Sequence, residues 1–321
     1  MNLLWQSITE VYPPSPTFTE ENLPDLDGKI YLVTGGSYGV GRELAKRLYW
    51  KNAVVYVGTR SENRFNAAAQ YIKGDSASTG ELRLLKMDLM DLPTVVAAAT
   101  KLKAEISRLD SVWYNAGIMG HPSLSTTVQG FEVHWGTNVV GHFLLNKLLT
   151  TLLLTSAEGV PWGTVRAIWL SSDANMFSPG PDGINWEDVG FQDGNAANQM
   201  TKYGQSKAAA ILLAHEFASR VGDQGIASLA LNPGHLITGM QENRPKWLQR
   251  AGELFSFDAK YGSYTELFAA FTPLEKNQNG AYIVPWGRFG IPRPSITEGL
   301  EQRGSGARLW DLLEESVKLY V

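Results

Sequence analysis

The sequence predicts a doubly wound α/β fold, in which helices cover both faces of a parallel sheet of about seven strands. Short β-branched and aromatic runs alternate with longer stretches of helical pattern. The short runs are apolar throughout, as strands covered on both faces require. The predicted strands are Lys29–Thr34, Ala53–Thr59, Leu82–Asp88, Ser111–Asn115, Val165–Ser171, Ile226–Asn232 and Ala281–Pro285.

Helical stretches separate these strands and set the expected domain organisation. The predicted helices cover residues 39–51, 62–73, 91–108, 129–156, 203–222, 262–272 and 307–319. We expect residues 1–27, which are rich in proline and acidic side chains, to form an N-terminal arm before a single domain of residues 28–321.

Three further segments depart from this alternation. Residues 173–200 and 235–268 are long for connections, so both are candidate functional loops, the second as a substrate-covering segment. Within that segment, residues 235–262 carry Met240, Trp247, Phe255, Phe257 and Tyr261. Residues 290–321 form a C-terminal extension, and its stripe of Trp310, Leu313 and Val317 is expected to pack in the core.

The composition limits the classes of function. The chain has 321 residues and a net charge of −4, which does not indicate a polyanionic partner such as nucleic acid. It contains no cysteine, and its 5 histidines show no zinc-binding spacing, so we expect no metal site. No apolar run approaches the roughly 18 residues of a membrane span. The N-terminus lacks the features of a signal peptide, so we expect a cytoplasmic protein.

Three interpretations compete for the glycine-rich turn TGGSYGVGRELA, residues 34–45. Gly36-x4-Gly41 resembles a P-loop, but Arg-Glu follows where Lys-Ser/Thr would contact phosphate and Mg²⁺. The stretch GGSYG matches a nucleophile elbow, but it follows the first strand, and no late acid–histidine pair is evident. A dinucleotide site is favoured, because such a turn brings backbone N–H groups at a helix N-terminus close to a phosphate.

The spacing Thr34-Gly35-x3-Gly39-x-Gly41 resembles the cofactor turn of the short-chain dehydrogenase/reductase family. Further matches follow in that family's order, most of them at predicted strand ends. They are Asp88-Leu89, Asn115-Ala116-Gly117, Asn138, Ser171-Ser172, Tyr203-x3-Lys207, Pro233-Gly234 and Thr238. The resemblance covers about residues 25–290 and implies a Rossmann-type fold. The stretches YGQSKAAAILLAHEFA, GAYIVPWGR and RLWDLLEESV resemble the retinol-dehydrogenase-like branch and its fungal relatives.

The end of the second strand predicts the cofactor NADP(H). Thr59-Arg60 stands where an NAD site carries Asp or Glu for the ribose 2′-OH. Arg60 offers a planar fork suited to a 2′-phosphate, and Arg42 would form the other half of a clamp. The cofactor-binding residues implied by the resemblance, together with these arginines, are Gly35, Ser37, Tyr38, Gly39, Val40, Gly41, Arg42, Arg60, Asp88, Leu89, Asn115, Ala116, Gly117, Tyr203, Lys207, Pro233, Gly234 and Thr238.

Tyr203 and Lys207 are four residues apart in a predicted helix, so both side chains can point at one spot. A carbonyl takes a hydride at carbon and a proton at oxygen, and a tyrosine is a weak proton donor unless a nearby cation favours its phenolate. The resemblance implies that Tyr203 is that donor and that Lys207 supplies the charge and binds the nicotinamide ribose. It also implies that Ser172 holds the substrate oxygen, with Ser171 as the competing candidate. Asn138 would bend the long helix and hold a water that relays protons to Lys207.

Together these features predict an NADP(H)-dependent reductase of a ketone or aldehyde in an apolar small molecule, by resemblance a polyketide-like specialised metabolite. A retinoid or lipid aldehyde or alcohol is the alternative substrate. A non-catalytic NADP-binding scaffold and a redox-neutral isomerase or cyclase are alternatives on the same fold. The complete set of Asn138, Ser172, Tyr203 and Lys207 disfavours the scaffold. The resemblance also allows a homodimer.

Overall fold

Eight strands form one sheet at the centre of the protein. The computed structural model describes residues 3–120, 125–191, 197–237 and 256–321. In chain order, β1 to β8 are Ile30–Thr34, Val54–Thr59, Glu81–Lys86, Ser111–Tyr114, Val165–Leu170, Ile226–Leu231, Tyr282–Val284 and Arg288–Gly290. They lie in the order β3-β2-β1-β4-β5-β6-β7-β8, and β1 to β7 pair in parallel. The predicted doubly wound parallel sheet is therefore confirmed.

The short strand β8 is absent from the sequence prediction of about seven strands. It pairs antiparallel with β7 after a tight turn in which Gly287 N donates to Val284 O at 3.0 Å. Gly287 has φ +80°, and a Cβ there would lie 2.7 Å from Phe268 Cβ, so the turn requires glycine. Arg288–Gly290 contains no β-branched residue and no alternating pattern, which is why the sequence does not reveal it.

Helices cover both faces of the sheet. Within the described residues, α1 to α9 are Leu3–Val11, Gly39–Trp50, Glu62–Lys73, Leu92–Glu105, Val133–Ala157, Gln199–Val221, Ala259–Phe271, Pro294–Gln302 and Ser305–Val317. All seven predicted helices are present, close to their predicted bounds. The sequence analysis did not predict α1 and α8.

Alternate strand residues enter two separate hydrophobic cores, one on each face of the sheet. On β1, Leu32 packs in the core beneath α4, α5 and α6, whereas Val33 packs in the core beneath α2 and α7. The indole rings of Trp113 on β4 and Trp169 on β5 fill opposite cores and are almost fully buried. Truncating such a ring to alanine costs about 3–5 kcal/mol, so these cores hold the strand ends firmly.

The long helix α5 contains a local irregularity at residues 136–140, where the backbone forms a π turn instead of an α turn. This turn agrees with the bend predicted at Asn138. By length and composition α5 is also apolar enough to cross a membrane, and it is the one helix among the described residues that is. However, 67% of its apolar stretch is buried, because it packs against the sheet as a core helix.

The N-terminal arm is helical and docks beside β8. Gln6 Nε2 donates to Ile291 O at 2.8 Å, and Ile291 N donates back to Gln6 Oε1 at 2.9 Å. Arg288 of β8 donates to Thr9 O at 3.0 Å. Helix α1 therefore docks beside the edge strand and satisfies the backbone N–H and C=O of Ile291, which directly follows β8.

The C-terminal extension packs on the core as predicted. Trp310, Leu313 and Val317 of α9 are all buried in the core beneath α5 and α6. The Trp310 ring stacks against Phe217 at 6.1 Å between ring centres and meets Phe143 edge-on at 4.8 Å. This stripe is therefore part of the fold.

Candidate active site

The glycine-rich turn between β1 and α2 is shaped for close approach of a phosphate. Gly35 and Gly39 have φ +68° and +56°, a region that side chains disfavour. A Cβ on Gly41 would lie 2.4 Å from Asn115 Nδ2, so this position accepts only glycine. Helix α2 begins at Gly39, and the N–H groups of its first turn have no carbonyl partner within the helix. These features fit the pyrophosphate of a dinucleotide cofactor.

Hydrogen bonds join this turn to the end of β4. Asn115 Nδ2 donates to Thr34 O at 2.7 Å, and Ala116 N donates to Thr34 Oγ1 at 2.9 Å. Gly117 follows directly, and a Cβ there would lie 3.5 Å from Lys207 Nζ. The Asn115-Ala116-Gly117 motif therefore runs from the glycine turn towards Lys207.

The two arginines predicted to hold a 2′-phosphate lie near the ends of β1 and β2. Arg42 lies over the Tyr71 ring, with 3.8 Å between its guanidinium carbon and the ring centre. Arg60 is exposed at the end of β2. Between them, Ser37 Oγ donates to Thr59 Oγ1 at 3.1 Å. Tyr71 thus already holds Arg42, and the predicted phosphate clamp stays a prediction.

Tyr203 and Lys207 lie on one side of α6, as their spacing predicted. Asn198 caps this helix, its side chain accepting from Thr201 N at 2.9 Å. Lys207 Nζ lies 5.5 Å from the centre of the Tyr203 ring and donates to Leu170 O at 2.9 Å. Burial lowers the pKa of Lys207 to about 8. The Lys207 ammonium therefore titrates near physiological pH, within reach of the tyrosine.

The two serines after β5 have different surroundings. Ser171 Oγ is buried and donates to Lys207 O at 2.7 Å, so its hydroxyl is used within the fold. Ser172 is partly exposed, donates to Asp173 Oδ1 at 2.9 Å and accepts from Ala174 N at 3.2 Å. Of the pair, Ser172 is therefore the one a substrate can reach, which favours the predicted choice.

Asn138 lies in the π turn of α5, but its side chain is occupied by protein groups. Its Nδ2 donates to Ile118 O at 3.1 Å and to Ser206 Oγ at 2.9 Å, and its Oδ1 accepts from Ile118 N at 2.9 Å. The side chain thus fixes the loop after β4 against α6. The predicted water relay through this residue stays a prediction.

Four other predicted cofactor residues have these surroundings in the structure. Asp88 Oδ1 accepts from Met90 N at 3.0 Å in a turn after β3, and Leu89 is buried beside Gly141. Val40 is buried in a small cluster with Trp286. The exposed Tyr38 precedes Gly39 at the start of α2.

The turn after β6 approaches another part of the chain closely. Gly234, which follows Pro233, has φ +92°, and a Cβ there would lie 2.6 Å from the Trp286 ring. Thr238 lies outside the described residues, as do Met240, Trp247 and Phe255 of the expected substrate-covering segment. The described Phe257 and Tyr261 pack against Trp286 at 5.2 and 5.4 Å between ring centres. These two aromatic side chains therefore pack within a small hydrophobic cluster.

Two buried histidines behind the site were not predicted from the sequence. His142 lies between Thr34 Oγ1 and Asn138 O, each at 3.1 Å, and burial lowers its pKa to about 3. His134 accepts from Gly120 N at 2.8 Å, and its ring meets the Tyr203 ring edge-on at 6.2 Å. Neither has a motif of its own, although both lie within one turn of Asn138 on α5.

A second missed pair lies next to predicted motifs. Asp173 follows Ser172, and His235 follows Pro233-Gly234. His235 Nε2 lies 2.8 Å from Asp173 Oδ2. The sequence shows that each residue adjoins a motif, but it does not show that they meet, because they belong to different strand ends.

Comparison with known proteins gives full-length relatives. The short chain dehydrogenase family model matches residues 29–163. A short-chain dehydrogenase/reductase from Phomopsis amygdali is 38% identical over 333 residues, covering 100% of this chain and 98% of that protein. Short-chain dehydrogenase/reductase bet4 from Neocamarosporium betae is 37% identical over 324 residues, covering 98% and 93%.

The fold also matches solved structures. The crystal structure of an uncharacterized protein from Mycobacterium Paratuberculosis superposes with a TM-score of 0.71 and 27% identity, covering 95% of this chain and 98% of that chain. The two sequence relatives are fungal, as the resemblance implied. The retinol-dehydrogenase-like branch stays a prediction.

Proposed function

Because the chain belongs to the short-chain dehydrogenase/reductase family, we propose that it is an NADP(H)-dependent reductase of a ketone or aldehyde in an apolar small molecule. The observation that carries this proposal is the Lys207 ammonium group, buried one helical turn from Tyr203 and hydrogen-bonded to the strand that leads to Ser172. The proposed reaction needs a proton donor, a cation and an oxygen-binding hydroxyl, and this arrangement supports Tyr203, Lys207 and Ser172 in those roles.

The side chains divide the reaction between them. When bound, the cofactor supplies a hydride to the carbonyl carbon. Tyr203 donates its hydroxyl proton to the carbonyl oxygen, so the product is the alcohol. Lys207 stabilises the phenolate left on Tyr203 until solvent returns a proton. Ser172 binds the same oxygen and stabilises the charge that develops there.

The preference for NADP(H) over NAD(H) is supported by charge at the end of β2. Arg60 follows Thr59, where a carboxylate would repel a 2′-phosphate, and Arg42 lies in the first turn of α2. The nearby Glu43 carboxylate is engaged, since Arg47 donates to it at 3.1 Å and Tyr71 at 2.6 Å. Glu43 also lies 3.8 Å from the Arg42 guanidinium, so Arg47 and Arg42 share this carboxylate.

An apolar substrate is supported by side chains beside Ser172. Met176 and Phe177 lie on the 3₁₀ turn that Ser172 caps and are 58% and 59% exposed. Ile237 lies two residues after His235 and is 52% exposed. Exposed apolar side chains grouped near a polar reaction centre are typical of a binding site for an apolar ligand. We place a polyketide-like carbonyl first because the relatives are fungal, and a retinoid or lipid aldehyde second.

The proposal is tested by incubating the purified protein with NADPH and a panel of ketones and aldehydes while recording NADPH absorbance. We expect oxidation that requires a carbonyl compound and yields one alcohol for each NADPH consumed. Conversion of a compound without NADPH oxidation would indicate a redox-neutral isomerase or cyclase. Binding of NADPH with no conversion across the panel would favour a scaffold. A cytoplasmic location and a homodimer are further proposals, which cell fractionation and size-exclusion chromatography with light scattering would check.

A further inference from the structure

The hydroxyl of Ser172 begins a chain of polar contacts that reaches solvent. Ser172 Oγ lies 2.9 Å from Asp173 Oδ1, and Asp173 Oδ2 lies 2.8 Å from His235 Nε2. Asp173 follows β5 and His235 follows β6, so the ends of two neighbouring strands bring the pair together. The Asp173 and His235 side chains are 30% and 36% exposed, although the bridging Nε2 of His235 is buried.

The contacts define where the protons lie. Burial works to raise the pKa of Asp173, but His235 and Ser172 outweigh it and lower the pKa below its ordinary value. Asp173 is therefore a carboxylate near neutral pH, and a carboxylate only accepts, so Ser172 donates to it. Ala174 N donates to the same Ser172 oxygen at 3.2 Å. Ser172 is left with one free lone pair and no free proton.

This arrangement suits an alcohol better than a carbonyl. A carbonyl oxygen only accepts hydrogen bonds, whereas an alcohol hydroxyl can also donate one to the free lone pair of Ser172. To bind a carbonyl oxygen, Ser172 must turn its proton away from Asp173. A protonated His235 partly neutralises the Asp173 carboxylate. It therefore weakens the hydrogen bond that Asp173 accepts from Ser172.

We propose that Asp173 and His235 are positioning residues that switch the Ser172 hydroxyl between an alcohol-binding and a carbonyl-binding orientation. The first orientation holds when His235 is neutral and the second when His235 carries a proton from solvent. The Ser172 proton stays on its oxygen throughout and only changes its acceptor. This inference rests on the proposed function, because Ser172 must contact the substrate oxygen. It makes carbonyl reduction more efficient at lower pH and alcohol oxidation more efficient at higher pH.

Charges on neighbouring elements set the pH at which the switch operates. Within the described residues, the titratable and charged groups near Asp173 and His235 are Glu10 of α1, Tyr282 of β7, Arg288 of β8 and Arg293 before α8. The Asp173 carboxylate raises the pKa of His235 against the effect of burial, and Glu10 adds to the rise. Glu10 itself is held by Asn232 Nδ2 at 2.9 Å, so the docked helix α1 contributes to the site.

The test compares pH profiles of kcat/KM for NADPH-dependent reduction of trans-1-decalone and 9,10-phenanthrenequinone. In the wild type, kcat/KM for reduction should fall as rising pH removes the proton from His235. His235→Lys keeps a cation at this position, so the decrease in kcat/KM that follows deprotonation of His235 should disappear. His235→Gln has no cation, so reduction at low pH is about tenfold slower than in the wild type and shows no such fall. Glu10→Gln moves the midpoint to lower pH with the plateaus unchanged.

A matched control and a second measurement separate this switch from a structural defect. His215→Gln changes a histidine about 12 Å along α6 from Lys207 and should keep the wild-type profile. NMR titration of the His235 ring protons should show a lower pKa in Asp173→Asn. If His235→Gln does not fold, Asp173→Asn replaces it, and its reduction should lose the His235-dependent fall.

The outcomes distinguish the two proposals. If the wild type reduces neither these probes nor any carbonyl of the panel, both the proposed function and the switch are overturned. If the wild type reduces a carbonyl but the His235 variants keep its pH profile, or if Asp173→Asn leaves the pKa of His235 unchanged, only the switch is overturned.

Discussion

Lys207 Nζ lies 5.5 Å from the centre of the Tyr203 ring, and the same nitrogen donates to Leu170 O at 2.9 Å. Tyr203 and Lys207 are one turn apart on α6, whereas Leu170 ends β5 and immediately precedes the serine pair. The hydrogen bond therefore fixes the ammonium group between the helix that carries the tyrosine and the strand that leads to Ser172. A cation held there stabilises negative charge on the tyrosine oxygen.

Replacing Tyr203 with phenylalanine should remove the proton donor and leave the fold intact. We expect kcat for carbonyl reduction to fall at least about a hundredfold, the size usual for a lost general acid. The dissociation constant for NADPH, measured by fluorescence titration, should change little. Tyr12→Phe, in an exposed tyrosine after α1, is the matched control and should keep wild-type kcat. Retained turnover in Tyr203→Phe would exclude this residue from the chemistry.

Replacing Arg60 with aspartate should change the choice of cofactor. A carboxylate at the end of β2 repels a 2′-phosphate and accepts from a ribose hydroxyl, so the ratio of kcat/KM for NADPH over NADH should fall at least about tenfold. Arg64→Asp, at an exposed position one turn into α3, controls for the change in net charge. An equal shift in both variants, or none in Arg60→Asp, would mean that Arg60 does not contact the phosphate.

Replacing Gly41 with alanine should weaken cofactor binding. The new methyl group would lie 2.4 Å from Asn115 Nδ2, so Asn115 must move and lose its bond to Thr34 O. We expect the dissociation constant for NADPH to rise at least about tenfold, corresponding to one lost hydrogen bond. Gly28→Ala, where a Cβ meets nothing within 4 Å, tests backbone strain alone and should bind NADPH normally even if its melting temperature falls.

Replacing Lys207 with methionine should abolish activity but stabilise the fold near neutral pH. Burial lowers the pKa of Lys207 from 10.5 to about 8, which corresponds to a cost of about 3 kcal/mol when the unfolded chain is protonated. Losing the bond to Leu170 offsets about 1–2 kcal/mol of the gain. The net expectation at about pH 7 is a free energy of unfolding higher by about 1–2 kcal/mol.

The pH dependence of the stability difference between Lys207→Met and the wild type tests this expectation. The pKa of Lys207 is lower in the folded protein than in the unfolded chain. Burial of its charge therefore lowers the free energy of unfolding fully below about pH 8, and this effect fades as pH rises towards 10.5. In urea titrations the advantage of Lys207→Met should therefore shrink or reverse by about pH 10. Lys202→Met, at a partly exposed position on the same helix, should show no such trend. A variant less stable than the wild type at neutral pH would contradict the expectation.

Much of the fold could be predicted because its signals are local. Strand runs such as Val165–Leu170 are apolar at every position, since helices cover both faces, and the helices between them show amphipathic or apolar stretches. Strand β8 and helix α1 were not predicted. Arg288–Gly290 is too short to show a pattern, and Leu3–Val11 becomes part of the fold through bonds to residues near 290, far along the chain.

The sequence alone indicated that the motif residues lie at one edge of the sheet. The motifs stand at the ends of successive strands, and parallel strands bring their carboxyl ends to one edge of the sheet, so order along the chain was enough to assemble Ser172, Tyr203 and Lys207. Only the tertiary structure shows which hydrogen-bond and ion-pair partners each of these groups has. In the folded protein the Ser171 hydroxyl donates to Lys207 O, and the Asn138 side chain is hydrogen-bonded to protein groups. Asp173 also lies within ion-pair distance of His235. Hydrogen-bond direction and burial depend on elements packed from distant parts of the chain, and a local pattern does not encode that packing.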